Sequence, residues 1–373
     1  MGADPPATEP PAMTAARPAL SVVIPSYNGR RLLEACLASL VRHRPRDGSV
    51  EVIVADDAST DDTAAWVART YPDVRLVRNA RNGGFVAAAN AGLAAARGEF
   101  VQMLNNDAEV TAGWAAAGLA PFADPRVGSV APLVIMRGDP DRVDSAGDGY
   151  SLVGWAFKRG HGQPSRDWRD HPADRVLGAS ASSAFYRASA LAAVGGGFDP
   201  LYGSYYEDVD LALRLQRAGY ACAFTPECRV LHDVSASFNH RNPKLQRTIA
   251  RNVELLFWSN LPAGTLAMAV LPHLAFVAAQ VPRRLVRGTL RPFLLGKLDA
   301  LRLHRAVRER RHHRAALAAN GGSDRLPLDF FPLRTLREHL RAGRAATRRG
   351  TAPVPAPHVR ATNRASRPGD ARR

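Results

Sequence analysis

Val50-Glu-Val-Ile-Val-Ala-Asp-Asp-Ala-Ser-Thr-Asp-Asp62 decides the fold. Its first six residues, rich in β-branched side chains, predict a buried strand that ends abruptly in acids and hydroxyls. Ser59, followed three residues on by Asp62, predicts a capping box with a shortened acid, opening a helix over 63–70. Upstream, Leu20-Ser-Val-Val-Ile-Pro25 is a second such strand, closed by the turn Ser26-Tyr-Asn-Gly29. Leu32, Leu33, Cys36, Leu37 and Leu40 then recur at helical spacing. Downstream come a strand at Val74-Arg-Leu-Val77, the turn Asn82-Gly-Gly-Phe85, a small-residue helix over 86–96, and a strand at Glu99-Phe-Val-Gln-Met-Leu104 that ends in Asn105-Asn-Asp107. Strand and helix alternate four times, which predicts a parallel α/β sheet with helices on both faces. Ligands of such sheets sit beyond the carboxyl ends of the strands. Polar clusters stand at those ends, at 26–28, 56–57, 79–82 and 105–107. One could be turn chemistry; four on one edge predict a binding site. Neither G-x-G-x-x-G after the first strand nor G-x-x-x-x-G-K-[ST] occurs, so a nucleotide here would be held by side chains.

A second focus is Gly203-Ser-Tyr-Tyr-Glu-Asp-Val-Asp210, three carboxylates ahead of a helical run of Leu211, Leu213, Leu215 and Ala218 that Gly219 stops. Acids in a first turn complement the helix dipole, worth ~0.3–1 kcal/mol each. The neighbouring Tyr202, Tyr205 and Tyr206 suggest more: an aromatic, partly dry setting raises a carboxylate's pKa, as a general base requires. Between 130 and 183 short apolar runs frame a Gly-rich middle holding Arg159-Gly-His-Gly162, and His161 reads as a loop residue. Strands are predicted at 220–224 and at 230–232, where His232 taken alone reads as structural.

The chain's 373 residues, 46% hydrophobic, are those of a globular protein. Its formal charge of +16 is local: residues 282–373 hold 23 Lys/Arg against 6 Asp/Glu, which leaves the rest near neutral. Cys36, Cys222 and Cys228 form no C-x-x-C, which argues against a disulfide framework or zinc cluster and for a reducing cytoplasm. Residues 1–18 lack the basic-then-apolar order of a signal peptide and read as a disordered leader. Residues 261–281 carry no charge over a length able to span a bilayer, but Pro262 and Pro272 interrupt them and Arg283, Arg284, Arg287, Arg291 and Lys297 follow. That order predicts an element lying on an anionic membrane surface, on the inner face of the cell membrane, rather than a span or a nucleic-acid site. An amphipathic piece is predicted over 326–340 and a disordered basic tail over 341–373.

Together, Val22-Val-Ile-Pro-Ser-Tyr-Asn28, Val54-Ala-Asp-Asp-Ala-Ser-Thr-Asp61, Asn82-Gly-Gly-Phe-Val-Ala-Ala-Ala-Asn90, Leu104-Asn-Asn-Asp107, Arg159-Gly160, Gly178-Ala179, Gly196-Gly-Phe-Asp199, Glu207-Asp-Val-Asp-Leu211 and His232 resemble the family 2 glycosyltransferases of GT-A fold, in particular the rhamnosyltransferase-like branch. The resemblance implies a Rossmann-like mixed α/β sheet over 19–240, followed by a helical, membrane-associating extension over 241–340. It implies a nucleoside-diphosphate-sugar donor, a lipid-linked or polysaccharide acceptor, and Mg²⁺ or Mn²⁺. Asp57 would take the base edge with Asp56 beside it, and Pro25 and Tyr27 would line that pocket. Asn82, Gly83 and Asn90 would run along the ribose and phosphates, with Arg81 a charge partner. Asp107 would be the chief metal ligand, His232 would approach the metal or diphosphate, and Asn105 stands where the family's metal motif has its first acid. Asp208 would be the catalytic base, Glu207 would orient the acceptor, and Asp210 would cap its helix. The branch suggests rhamnose from dTDP-rhamnose; a UDP-galactofuranose or other hexose donor is the near alternative. A non-catalytic membrane-binding scaffold is the alternative of different class, and a sugar nucleotidyltransferase would need a glycine-rich signature with lysine that Ser26–Gly29 lacks.

Overall fold

The structure is a computed structural model describing residues 18–330 except 48, 170, 172–174, 234–241 and 320. The leader, the basic tail and most of the 326–340 piece lie outside the described residues. Strands β1 (Leu20–Ser26), β2 (Val50–Asp56), β3 (Arg75–Arg78) and β4 (Phe100–Leu104) alternate with helices α1 (Arg30–His43), α2 (Thr63–Thr70) and α3 (Phe85–Ala95). There follow β5 (Ala108–Val110), α4 (Trp114–Leu119), β6 (Val127–Met136), β7 (Val143–Ser145), β8 (Asp148–Ser151), β9 (Ala156–Lys158), β10 (Arg175–Val176), β11 (Ser183–Arg187), α5 (Ala188–Ala193), α6 (Glu207–Arg217) and β12 (Ala221–His232). The chain continues through α7 (Pro243–Asn260), α8 (Ala263–Ala279), α9 (Val281–Val286), α10 (Leu290–Arg302), α11 (His304–Ala319) and β13 (Leu328–Asp329).

The main sheet runs β10-β12-β6-β11-β4-β1-β2-β3. β1 to β4 are parallel, and the central pair β1 and β2 are the buried β-branched runs such pairing favours. β11 enters antiparallel between β4 and β6, so the sheet is mixed. β1 is buried along its whole length and serves two cores by alternation. Val23 packs with Ile53, Met103 and Ala89 on one face, and Val22 and Ile24 with Leu37, Val54 and Trp66 on the other. α6 is also shared, giving Leu211 and Leu215 to the first core and Val209 and Leu213 to a third, built with Tyr150, Tyr202, Leu255 and Phe257. That double anchorage fixes the start of α6 against both the sheet and the C-terminal helices.

Three expectations change. Ser59 caps nothing: its hydroxyl accepts the Asn28 N–H, and Asp62 at the head of α2 makes no side-chain cap bond. The strands expected at 220–224 and 230–232 are one, β12, with an irregularity between Thr225 and Arg229. The described start of the 326–340 piece holds β13, paired parallel with β8. Pro272 does not break α8, and 263–286 forms a helical stretch of 24 residues, long and apolar enough to cross a membrane by length and composition. Met268, Leu271, Leu274, Leu285 and Val286 stand exposed on it.

Candidate active site

The order β4-β1-β2-β3 places a topological switch point between β1 and β4, where chain connections leave in opposite directions and a crevice opens at the strand ends. On the β1–β2 side the backbone is bent hard. Asn28 and Ala58 both adopt positive φ, 48° and 58°. Asn28 Oδ1 accepts the N–H groups of Thr60 and Asp61 at 2.8 and 3.3 Å, tying the two strand ends together. Asp57 accepts from Asn79 Nδ2 at 2.8 Å and from the Gly84 N–H at 2.7 Å, with the Gly83 N–H 3.1 Å from both its oxygens. Its first task is therefore to fold the 82–84 turn over the crevice. Gly84 must be glycine there, at φ 83°. Asp56 is sealed: Oδ2 accepts the Ser59 N–H and faces Arg78 Nε, each at 3.1 Å, while Oδ1 is buried without a partner. Pro25 is buried in β1, whereas Tyr27, Arg81, Asn82 and Gly83 are exposed at the rim. Asn90 differs from the expectation of a ribose or phosphate contact. Its amide exchanges two bonds with the Phe198 backbone, at 2.8 and 2.9 Å, so it ties α3 to the 197–199 loop.

On the β4 side, Asp107 and His232 meet. Nε2 of His232 lies 3.2 Å from Asp107 Oδ1 and 3.4 Å from Asn105 Nδ2, and its Nδ1 lies 3.0 Å from Asp144 Oδ2. Burial alone would lower this imidazole's pKa, but the two carboxylates outweigh it and raise the pKa to about 9. Asp144 also takes Lys158 Nζ on both oxygens, at 3.0 and 2.9 Å, and His161 at 3.3 Å. Despite complete burial, the Lys158 charge, the hydrogen bonds of His161 and His232 and the His232 charge hold its carboxyl well below the usual range. A carboxylate fixing the far nitrogen of a histidine, whose near nitrogen faces another carboxylate, is the arrangement that orients a metal-ligating histidine. Among the described residues no three His, Cys, Asp or Glu side chains gather as a metal cluster. The donor set suits a cation that takes one or two protein ligands and completes its shell with water and phosphate oxygens, as Mg²⁺ does.

The acidic turn stands opposite. Tyr205 and Tyr206 both sit at positive φ, 68° and 69°, an uncommon pair for residues with side chains. They deliver Glu207 and Asp208 at the start of α6. Half-buried Asp208 accepts the Ala181 N–H at 3.1 Å and the Val209 N–H at 2.9 Å. Burial raises its pKa, and these bonds and Lys158 oppose the rise. Glu207 is buried with Oε2 unpartnered, and burial followed by the charge of Asp208 pushes it well above the carboxylate range. Asp210 is no cap. It is fully buried and takes Tyr202 Oη (3.1 Å), Arg214 Nε (2.8 Å), Asn260 Nδ2 (3.0 Å) and Arg314.

The two halves share one turn. The Asn105 N–H donates to the Ser182 carbonyl at 3.0 Å, and the Ala181 N–H holds Asp208, so the Asp107 and Asp208 loops clamp the same four residues, 180–183. Asp144 and Lys158 had no motif to announce them. The available signal was an acid in a strand, Val143–Ser145, that is buried throughout.

A mixed sheet with its crevice at this switch point, side-chain acids on both lips and helices packed behind defines a nucleoside-diphosphate-sugar transferase of GT-A type. The chain belongs to glycosyl transferase family 2, whose model matches residues 21–193. It is 34% identical over 237 residues to an N-acetylglucosaminyl-diphospho-decaprenol L-rhamnosyltransferase of Mycobacterium tuberculosis, covering 57% of this chain and 75% of that protein. It is 30% identical over 222 residues to the pre-mycofactocin glycosyltransferase of the same organism, covering 57% and 42%. Among solved structures, GalNAc-T7 with UDP, GalNAc and Mn²⁺ shares the fold, with a TM-score of 0.51 and 20% identity over 64% of this chain and 48% of that one. The protein is thus a glycosyltransferase that draws on a nucleoside-diphosphate-sugar donor.

Proposed function

We propose that the chain is an inverting glycosyltransferase that moves rhamnose from dTDP-rhamnose to a lipid-linked glycan acceptor, with residues 19–240 as catalytic domain and 241–340 as the part that meets the membrane. What supports it is the 180–183 turn, which bonds both the Asn105 backbone and the Asp208 carboxylate and so ties the loop of Asp107 to the acid read here as the proton acceptor. In this reading the acceptor hydroxyl oxygen forms a bond to C1 of the donor sugar, the C1–oxygen bond to the diphosphate breaks, and the hydroxyl proton passes to Asp208. Attack opposite the leaving group inverts C1. Asp208 is suited to this because a raised pKa improves a carboxylate as a base. Glu207, pushed toward its neutral form, can donate to an acceptor oxygen. Asp107 and His232 would hold Mg²⁺ or Mn²⁺, which supplies neutralisation of charge on the departing diphosphate. Asp57 would serve the base, with Tyr27 and Pro25 beside it and the sealed Asp56 supporting the strand end behind, while Asn82, Gly83 and Arg81 would face the ribose and phosphates. Asn105 supports the metal side.

Rhamnose and a polyprenyl-diphosphate acceptor rest on the name of the mycobacterial relative. The exposed apolar face of 263–286, followed by arginines, fits an acceptor that lives in a membrane. The test is a donor screen, with dTDP-rhamnose against UDP-galactofuranose and UDP-hexoses, and a polyprenyl-diphosphate acceptor with Mg²⁺. Release of dTDP is expected, and Asp208→Asn should lower kcat by about 10²–10⁴-fold. Full activity in that variant would remove the base assignment.

A further inference from the structure

The left-handed turn that aims Glu207 and Asp208 does not hold itself. Tyr205 and Tyr206 follow Gly203, also at positive φ (70°), so three of four consecutive residues occupy a region that side chains disfavour. On one side the Gly203 carbonyl accepts the Val86 N–H, at the head of α3 beside the 82–84 turn. On the other side a residue from far along the chain closes it. Asn252, on α7 and completely buried, points Nδ2 at three backbone carbonyls, those of Tyr202, Ser204 and Tyr205, at 3.0, 2.9 and 2.8 Å. Its Oδ1 accepts Arg251 Nε at 2.9 Å, and the same arginine donates to the carbonyls of Leu201 and Tyr202 at 3.1 and 2.9 Å.

Three carbonyl dipoles converging on one buried point repel one another unless a donor stands between them. The carboxamide answers this with two N–H groups and no competing acceptor on that side. Without it the carbonyls turn apart, and the turn they belong to relaxes toward negative φ. The first residue beyond that turn is the start of α6, so relaxation moves Asp208 relative to the Ala181 N–H it accepts and to the sugar carbon opposite.

We propose that Asn252 is a positioning residue for glycosyl transfer: from the C-terminal helices it locks the strained turn that holds Asp208 in register with the donor. The inference rests on Asp208 as the base. It makes α7 part of the catalytic apparatus rather than a spacer to the membrane helices.

The test compares Asn252→Ala with the intact full-length chain. Binding of dTDP and of UDP with Mn²⁺ by calorimetry reports the donor side and the fold; kcat, acceptor KM and the pH profile of kcat report the base. Expected are nucleotide affinity within about twofold of the original and kcat lower by about 10–100-fold, the scale of an ångström-sized misplacement. The acid limb of the kcat profile should move to higher pH, because a carboxylate that loses an N–H bond is protonated more easily. A general loss of folded protein would scale the profile without moving it. Unchanged kcat, or a loss confined to nucleotide affinity, overturns the proposal. Should the alanine variant fail to bind nucleotide, Asn252→Ser, which keeps one donor, is judged on the same readouts. Failure there too makes Asn252 a folding residue and overturns it. Full activity in Asp208→Asn removes the base assignment instead, and an intact chain inert toward every donor removes both.

Discussion

Replacing Asp210 by asparagine tests how the acidic turn is anchored. Asp210 has no solvent exposure and faces the guanidinium groups of Arg214 and Arg314, with Asn260 and Tyr202 completing its shell. Burial alone would raise its pKa; the two arginines and the Asn260 bond reverse this and bring it from 3.8 to about 2. A group whose folded pKa is depressed contributes stability that is present above its unfolded value and lost as pH falls through the folded one. The window here is therefore about pH 4 down to about pH 2, and the shift corresponds to about 2 kcal/mol. At neutral pH the substitution removes one partner and leaves two buried cations short of a counter-charge, a change that costs about 3–5 kcal/mol. At about 2 °C per kcal/mol for a chain of this size, Tm should fall by about 6–10 °C. Urea unfolding followed by circular dichroism, at pH 7 and at steps down to pH 2.5, reads both effects. The variant should be much weaker at pH 7, and the gap between the two proteins should narrow as pH falls. A variant as stable as the original at pH 7, or a gap that widens in acid, refutes the account of Asp210 as an ionised hub.

Asp144→Asn removes the acceptor on the far nitrogen of His232 and should raise the Mn²⁺ concentration needed for half-maximal dTDP or UDP binding by about 10–100-fold, measured by calorimetry; an unchanged Mn²⁺ requirement detaches Asp144 from the metal side. Chelation of divalent metal should abolish nucleoside-diphosphate binding by the intact chain, and equal binding with and without chelator would exclude Asp107 and His232 as metal holders. Leu271→Glu with Val286→Glu places charge at two of the most exposed apolar positions, 77% and 87% exposed, and should abolish co-sedimentation with vesicles containing anionic lipid. Arg283, Arg287 and Arg291 stand exposed nearby, so attachment should also weaken with salt, each contributing ~1 kcal/mol; retention of the double variant on vesicles would mean that this face does not meet lipid.

The first half of the sheet was legible because β1 and β2 are short, buried β-branched runs and because strand and helix alternate at regular spacing, which also located the partly exposed edge strand β3. Asp107, Asp208 and His232 each stand where a regular element begins or ends, but the roles proposed for Asp107 and His232 came from the family resemblance, since His232 taken alone reads as structural. The rest was hidden by distance along the chain. Asp144 meets a histidine 88 residues away, Arg314 reaches Asp210 across 104, and nothing local to either residue signals its partner. Local patterns also misled. Ser59 had the spacing of a cap, but the Asn28 N–H, delivered by the neighbouring strand, took its hydroxyl first. Asn90 sat in a family-like run, yet the Phe198 backbone claims its amide. In both cases a tertiary partner took the group that the local pattern had assigned elsewhere.

The charge balance of the crevice explains why its cations matter more than its acids. Asp56, Asp57, Asp107, Asp144 and Asp208 surround the place proposed for a donor that brings a diphosphate of its own. Arg78 faces Asp56, and Lys158 and His232 are engaged by Asp144. Burial relieves part of the repulsion by pushing Glu207 and Asp148 toward neutrality. It cannot do so for Asp144, whose cations hold it ionised. A diphosphate entering such a lip needs a positive charge beside Asp107, which a bound cation or protonated His232 would supply. The neutral amide at Asn105 reduces the negative charge there by one relative to a motif with two acids. If Asp107 and His232 hold a cation, such a site would leave room for diphosphate oxygens among its ligands, and metal and donor should then bind together rather than in turn.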